Sequence, residues 1–189
     1  RGLGDVYKRQ NYISDTEVTL VLQAPKKKYV YVVGDFNDWT PKSDYQLKQD
    51  GEYFWITLSG LIKGEEYAFQ YLVDGSIYIA DPYTDKVLDP WNDQYIESTT
   101  YPNLKPYPTG KAEGIVSVLQ TGQTAYNWKV KNFERPASEQ LVIYEMLVRD
   151  FTEEHTFNAA KEKLGYLKNL GVNAIELMPI NEFEGNTSW

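Results

Sequence analysis

Side chains able to move protons gather toward the end of this chain: Glu145, Asp150, Glu176, Glu182 and Glu184, with Arg149 and His155 among them. Paired carboxylates do general acid and base work when their surroundings push their proton affinities apart. Glu145 and Glu176 alternate out of apolar runs and read as hydrogen-bonded structural groups. Glu182 and Glu184 follow the apolar run Ala174–Met178, where a parallel α/β sheet builds its functional loops. Either they line a cleft there with Trp189, or they form a solvated acidic loop. Arg149 and Asp150 close an earlier strand and read as an ion pair between neighbours across its mouth. His155, alone in a polar loop, reads as a surface residue. No phosphate loop, metal-ligand spacing or nucleophile elbow occurs, so neither metal nor cofactor is expected.

Composition narrows the chemistry further. Cys is absent and there is 1 His, which excludes disulfides, thiolate chemistry and a Cys nucleophile and leaves little room for His-based sites. The net charge of −8 weighs against nucleic acid and anionic membranes as partners. No apolar run reaches the roughly 18 residues that cross a bilayer. With 189 residues, 42% of them hydrophobic, the chain has room for one domain plus part of another. The 16 Tyr, 7 Phe and 5 Trp suit β-rich structure, because aromatic rings fill pleated surfaces well.

Several elements must position those side chains. Residues 1–10 lack a strand or helix period and read as a foreign or mistranslated leader, which leaves the compartment open. From Asp15 to Ile96 the pattern has period two, broken by turn residues as in a β-sandwich. Val18, Leu20 and Leu22 alternate, Tyr29–Val33 makes a second strand, and Trp55 falls mid-strand as a core residue. Asp50-Gly51 and Asp74-Gly75 each mark a hairpin, the first with both residues as the centre of a type I′ turn. Residues 101–138, with Pro102, Pro106, Pro108 and Pro136, read as a connector holding one strand, Ile115–Leu119. Leu141–Val148 then reads as a strand buried on both faces. A helix follows, with Ala160, Leu164, Leu167 and Leu170 on one stripe, Asn158 or Thr156 as N-cap and Gly171 beyond its end. Ala174–Met178 is a second buried strand, which completes one βαβ unit.

Two resemblances gather these observations. The run Gly34-Asp35-Phe36-Asn37-Asp38-Trp39, with Glu66–Gly75 and Asp81-Pro82, resembles carbohydrate-binding module family 48, the sandwich that precedes the barrel in glycogen branching and debranching enzymes. Glucan-binding members place a second Trp after the Asp-Gly hairpin and a Lys on the strand before it. Ile77 or Tyr78, and Gln70, hold those places here. The resemblance implies that an α-glucan poly- or oligosaccharide is the partner, with Trp39 and Tyr78 as its contacts. A flat indole matches the apolar C–H face of a glucose ring, although Trp39 at the end of a sandwich reads equally well as a core plug.

Residues Leu141–Phe151, Ala160–Gly171 and Val172–Trp189 resemble the opening of the (β/α)8 barrel of glycoside hydrolase family 13, the α-amylase family. That resemblance implies retaining hydrolysis or transfer at α-glucosidic bonds, with carboxylates from the fourth, fifth and seventh barrel strands. None of those strands lies in this sequence. The fold class expected is therefore multidomain β plus α/β: an immunoglobulin-like antiparallel β-sandwich over 11–100, the connector over 101–138, and the truncated start of a TIM barrel over 139–189. The chain by itself is expected to be catalytically inactive. A stand-alone glycogen- or starch-binding or scaffold module is the alternative, and the βαβ segment separates the two.

Overall fold

The computed structural model describes residues 10–99 and 101–180. The chain forms two units, the first of residues up to 93 together with 105–125, the second of residues 94–104 and those from 126 onward. In the first unit, alternating side chains build two antiparallel sheets. One has the order β1–β2–β5–β4, from Gln10–Ser14, Glu17–Gln23, Tyr53–Ser59 and Lys48–Asp50. The other runs β3–β6–β9–β8, from Val30–Gly34, Glu66–Val73, Val116–Gln120 and Lys86–Leu88, with β7 (Ile77–Ile79) also paired to β6. Val18, Leu20, Leu22, Phe54 and Ile56 of the first sheet bury against Val30, Val32, Phe69, Tyr71 and Val73 of the second, which makes the core of a sandwich.

Four readings of the sequence change here. Gln10 belongs to the sandwich rather than to a leader, because it pairs with Leu20 and its side-chain amide donates to Asp81 at 3.4 Å. The strand Val116–Gln120 is no connector element: it pairs with β6 on one side and β8 on the other. Trp55 is half-buried beneath the Lys48 ammonium, 4.9 Å from the ring centre, since strand alternation gives Phe54 and Ile56 to the core. In the β4–β5 hairpin Asp50 still pairs with Tyr53, so the turn centres on Gly51-Glu52, and only Gly51 has a positive φ, 59°. That is the type II′ pattern, with Gly first. The second hairpin keeps both positive angles, Asp74 at 49° and Gly75 at 73°, and Ser76 N–H closes it on the Val73 carbonyl.

The second unit contains a parallel pair, β10 (Ile143–Met146) and β11 (Ala174–Leu177), with Ile143 opposite Ala174. Between them lie α1 (Val148–Phe151), α2 (Phe157–Glu162) and α3 (Leu164–Asn169). Thr156 is the N-cap of α2, its hydroxyl accepting from Ala159 N–H at 3.2 Å. The helix breaks at Lys163, so only Ala160 and Leu167 of the apolar stripe are buried, while Leu164 and Leu170 are exposed. Asn173 fixes the start of the pair, accepting from Val142 N–H at 2.8 Å and donating to the Gln140 carbonyl at 2.9 Å. The strands are not buried on both faces. Ile143 is 55% exposed, and Tyr144, Ile175 and Leu177 also face solvent, because two parallel strands have too few neighbours to cover them.

Candidate functional site

The turn after β3 is built from its polar side chains inward. Gly34 brings the strand so close to β6 that a Cβ there would lie 2.4 Å from the Ala68 carbonyl oxygen and 2.8 Å from Phe69 Cβ. Asn37, buried, accepts from Gly34 N–H at 2.9 Å and donates to the Val32 carbonyl at 2.9 Å, folding the turn back on its own strand. Asp35 accepts from Ala68 N–H at 2.9 Å with one oxygen and from the Trp39 indole N–H at 3.0 Å with the other. Asp38 and Trp39 both adopt left-handed backbone angles, φ 53° and 57°, and Trp39 N–H closes on the Gly34 carbonyl at 3.0 Å. Phe36 reaches the core and stacks on Tyr45, with ring centres 5.6 Å apart. Phe36, then, closes the end of the sandwich, and Trp39 is a half-buried side chain held by Asp35.

Gln70 points away from the core, because its neighbours Phe69 and Tyr71 point into it. It is nevertheless only 1% exposed, and Val33, Ala68, Leu72, Leu88 and Val116 on the same face are buried as well. Across Gln70 runs a strap of residues 105–115. Gln70 Nε2 donates to the Glu113 and Ile115 carbonyls, each at 2.8 Å, and the Tyr107 hydroxyl donates to the Gly114 carbonyl at 2.8 Å. Lys105 pairs with Asp35 at 3.1 Å and Lys111 with Asp38 at 2.8 Å, so both ends of the Trp39 turn are tied to the strap. The Lys111 contact holds the Asp38 carboxyl below its usual range and the Lys111 ammonium above its own.

The two sugar contacts expected from the sequence do not meet. Trp39 follows Gly34, which pairs with Phe69, whereas Tyr78 pairs with Leu72 from the other edge of β6. Gly34 and Tyr78 are thus separated by about 14 Å of sheet, three residues along and two strands across. Tyr78 is 52% exposed. Asp35 and Gln70 stood in the sequence only as positions of the family motif, and Lys105 and Lys111, which tie this face to the strap, were missed: a Pro-rich stretch carries no period that would announce a strap.

At the carboxyl ends of β10 and β11 lies a cavity of about 570 Å³, lined by Leu147, Arg149, His155, Phe157 and Pro179 among others. Ligands of parallel α/β sheets bind at this end of the strands. Arg149 grips its own neighbour Asp150, at 2.8 and 3.2 Å, which holds the Asp150 carboxyl below the usual range. His155 Nδ1 contacts the Arg149 carbonyl and folds the loop over the cavity. Glu145 and Glu176 stand opposite each other in the ladder, exposed, without side-chain hydrogen bonds among the described residues, rather than as buried bonded groups. Glu182, Glu184 and Trp189 lie outside the described residues. Among the described residues no cluster with metal-ligating chemistry occurs, and no helix is long and apolar enough to cross a membrane.

An antiparallel sandwich closed by this Gly-Asp-Phe-Asn-Asp-Trp turn defines a module class, and residues 3–91 match Carbohydrate-binding module 48 (Isoamylase N-terminal domain). The match begins inside the stretch that the sequence alone set aside as a leader. The chain is 30% identical over 166 residues to the malto-oligosyltrehalose trehalohydrolase of Saccharolobus solfataricus, covering 82% of this chain and 25% of that protein. It is 29% identical over 176 residues to a 1,4-alpha-glucan branching enzyme of Clostridium perfringens, covering 88% of this chain and 24% of that one. The solved catalytic module of the glycogen-degrading pneumococcal virulence factor SpuA is similar with a TM-score of 0.60 and 27% identity, over 92% of this chain and 27% of its own. The chain thus spans about a quarter of the length of the curated relatives it matches. Residues 3–91 carry the family 48 module, and along most of its length the chain is similar to enzymes of the α-amylase family, glycoside hydrolase family 13.

Proposed function

We propose that residues 139–189 are the first βαβ unit of a family 13 barrel and that the whole protein acts, with retention, on α-glucosidic bonds of starch- or glycogen-like glucans. One observation carries this reading: β10 and β11 are parallel, and most of their apolar side chains, Ile143, Tyr144, Ile175 and Leu177, are exposed. Such strands are stable only inside a larger covered sheet, and a free-standing binding module has no use for them. The cavity at their carboxyl ends is then one wall of the substrate cleft, and Glu182, Glu184 and Trp189 remain candidate cleft residues on sequence grounds alone. The nucleophile and the acid that retaining chemistry requires come from later barrel strands. Trp39 and Tyr78 remain the module's candidate glucan contacts, each acting separately.

The test is a transplant. Residues 139–189 replace the corresponding opening of the Saccharolobus trehalohydrolase barrel, and the chimera is assayed on maltooligosyl trehalose, soluble starch and glycogen beside the 189-residue chain. A folded, active chimera and an inactive chain are expected. A chimera that fails to fold or to hydrolyse, or reducing-sugar release by the chain itself, overturns the reading.

A further inference from the structure

The strap over β6 treats the sheet face as a ligand would. On the face where it bonds Gln70, the apolar side chains of Val33, Ala68 and Leu72 are buried, a floor that ordinary sandwich strands leave to solvent on one side. Into that floor is set one amide, Gln70, whose Nε2 gives both its protons to strap carbonyls, at 2.8 Å each, while its Oε1 finds no partner. At the rim stand two carboxylates, Asp35 and Asp38, on either side of the Trp39 turn, and the strap meets them with Lys105 and Lys111. An apolar floor with an inset amide, edged by acceptors and an indole, is the chemistry that takes a neutral polyhydroxylated chain. In this molecule the Gln70 amide N–H groups and both carboxylates are already engaged by residues 105–115, while the indole N–H is held by Asp35.

We infer that residues 105–115 are an autoinhibitory occupant of the sandwich, and that displacing them uncovers a glucan-binding face bordered by Trp39. The binding energy a glucan gains on the open face must first offset the loss of the strap's contacts, so affinity is suppressed by the fraction of molecules in which the strap is away. The inference rests on the family 48 assignment and on an α-glucan as partner, but not on the barrel: its test reads binding by the sandwich and involves no hydrolysis.

The 189-residue chain is run through native gels containing amylopectin, beside variants whose strap is loosened. Gln70→Met keeps the shape of the side chain and removes both donors to the strap; Lys111→Ala removes the exposed tie to Asp38. Hydrogen exchange at 105–115 is expected to rise about tenfold or more in the double variant while β2 and β5 stay protected. The wild-type chain is expected to run unretarded, the double variant to be retarded, and the addition of Trp39→Ala to abolish that retardation. If the double variant does not melt cooperatively, Lys111→Ala alone carries the same prediction with a smaller shift, since it touches only an exposed pair. Retardation of the wild type that disappears with Trp39→Ala overturns the inference. So does a variant whose strap exchanges faster and which still passes through the gel unhindered, or one retarded equally with and without Trp39.

Discussion

The sheet β3–β6–β9 and the pair β10–β11 present similar aliphatic side chains to opposite fates. Val33, Ala68 and Leu72 sit on the outer face of a sandwich sheet and are buried there, on the face whose Gln70 is bonded to the chain's own strap. Ile143, Ile175 and Leu177 sit on a sheet of the same chemistry and stand in solvent. The difference lies in what each sheet has for neighbours. β6 pairs on both edges and has a layer on each face, so its near-continuous burial requires nothing more. β10 and β11 pair only with each other among the described strands, and their sequence anticipates layers that the sandwich does not supply.

The sharpest test of that contrast is a pair of truncations. Phe54→Ala, in the sandwich core, is expected to lower stability by about 3–5 kcal/mol in urea melts followed by far-ultraviolet dichroism. Ile143→Ala, on β10, should stay within about 0.5 kcal/mol, because its side chain loses little burial. Equal losses at the two sites would mean that the parallel pair is covered in solution. Proteolysis carries the same contrast: cuts are expected within 139–180 while the sandwich remains intact.

A smaller effect tests how the closed face is assembled. Gly34→Ala forces a methyl against the Ala68 carbonyl and Phe69 Cβ, both in a paired strand that cannot retreat alone. A loss of about 1–3 kcal/mol is expected in the same melts, with the strap exchanging faster because the Asp35 and Asp38 anchors shift with the turn. Asn37→Ala, which leaves Gly34 N–H and the Val32 carbonyl without their bonds, should fall in a similar range of about 1–3 kcal/mol. An unchanged melt for either variant would remove the turn from the list of what holds β3 to β6.

Much of the sandwich was legible because its signals are local. Alternation at Val18, Leu20 and Leu22 and the Asp-Gly pairs depend on neighbouring residues, and both hairpins formed beside those pairs, the first with its turn centred one residue later. Gln10 was illegible because its strand is defined by pairing with Leu20 rather than by a pattern of its own. Val116–Gln120 showed its strand character, but not its partners, β6 and β8, which lie far back in the chain. The candidate site shows the same division. Trp39 and the motif around it were visible as residue types, whereas the bond from its indole to Asp35 and the strap across Gln70 are long-range geometry that no spacing encodes.

The mildest prediction compares two exposed ion pairs. Lys111 reaches Asp38 across 73 residues of sequence at 2.8 Å, whereas Arg149 and Asp150 are adjacent residues joined at the same distance. Asp38 is held below its ordinary value of 3.8 first by the Lys111 hydrogen bond and then by its charge, so the pair helps the folded state above that value and loses its effect as pH falls through the depressed one. Lys111 is raised above 10.5 by the same partner, so its contribution is complete below that value and disappears as pH climbs through the raised one. Only the long-range pair ties separate segments together. Strap exchange at 105–115 is therefore expected to quicken at both pH extremes and with added salt, and Lys111→Ala should remove both limbs. Asp150→Asn, by contrast, should leave exchange in β10 and β11 unchanged, since a bond between neighbours closes no loop. Identical pH profiles for wild type and Lys111→Ala would show that Gln70 and the apolar floor hold the strap without help from charge.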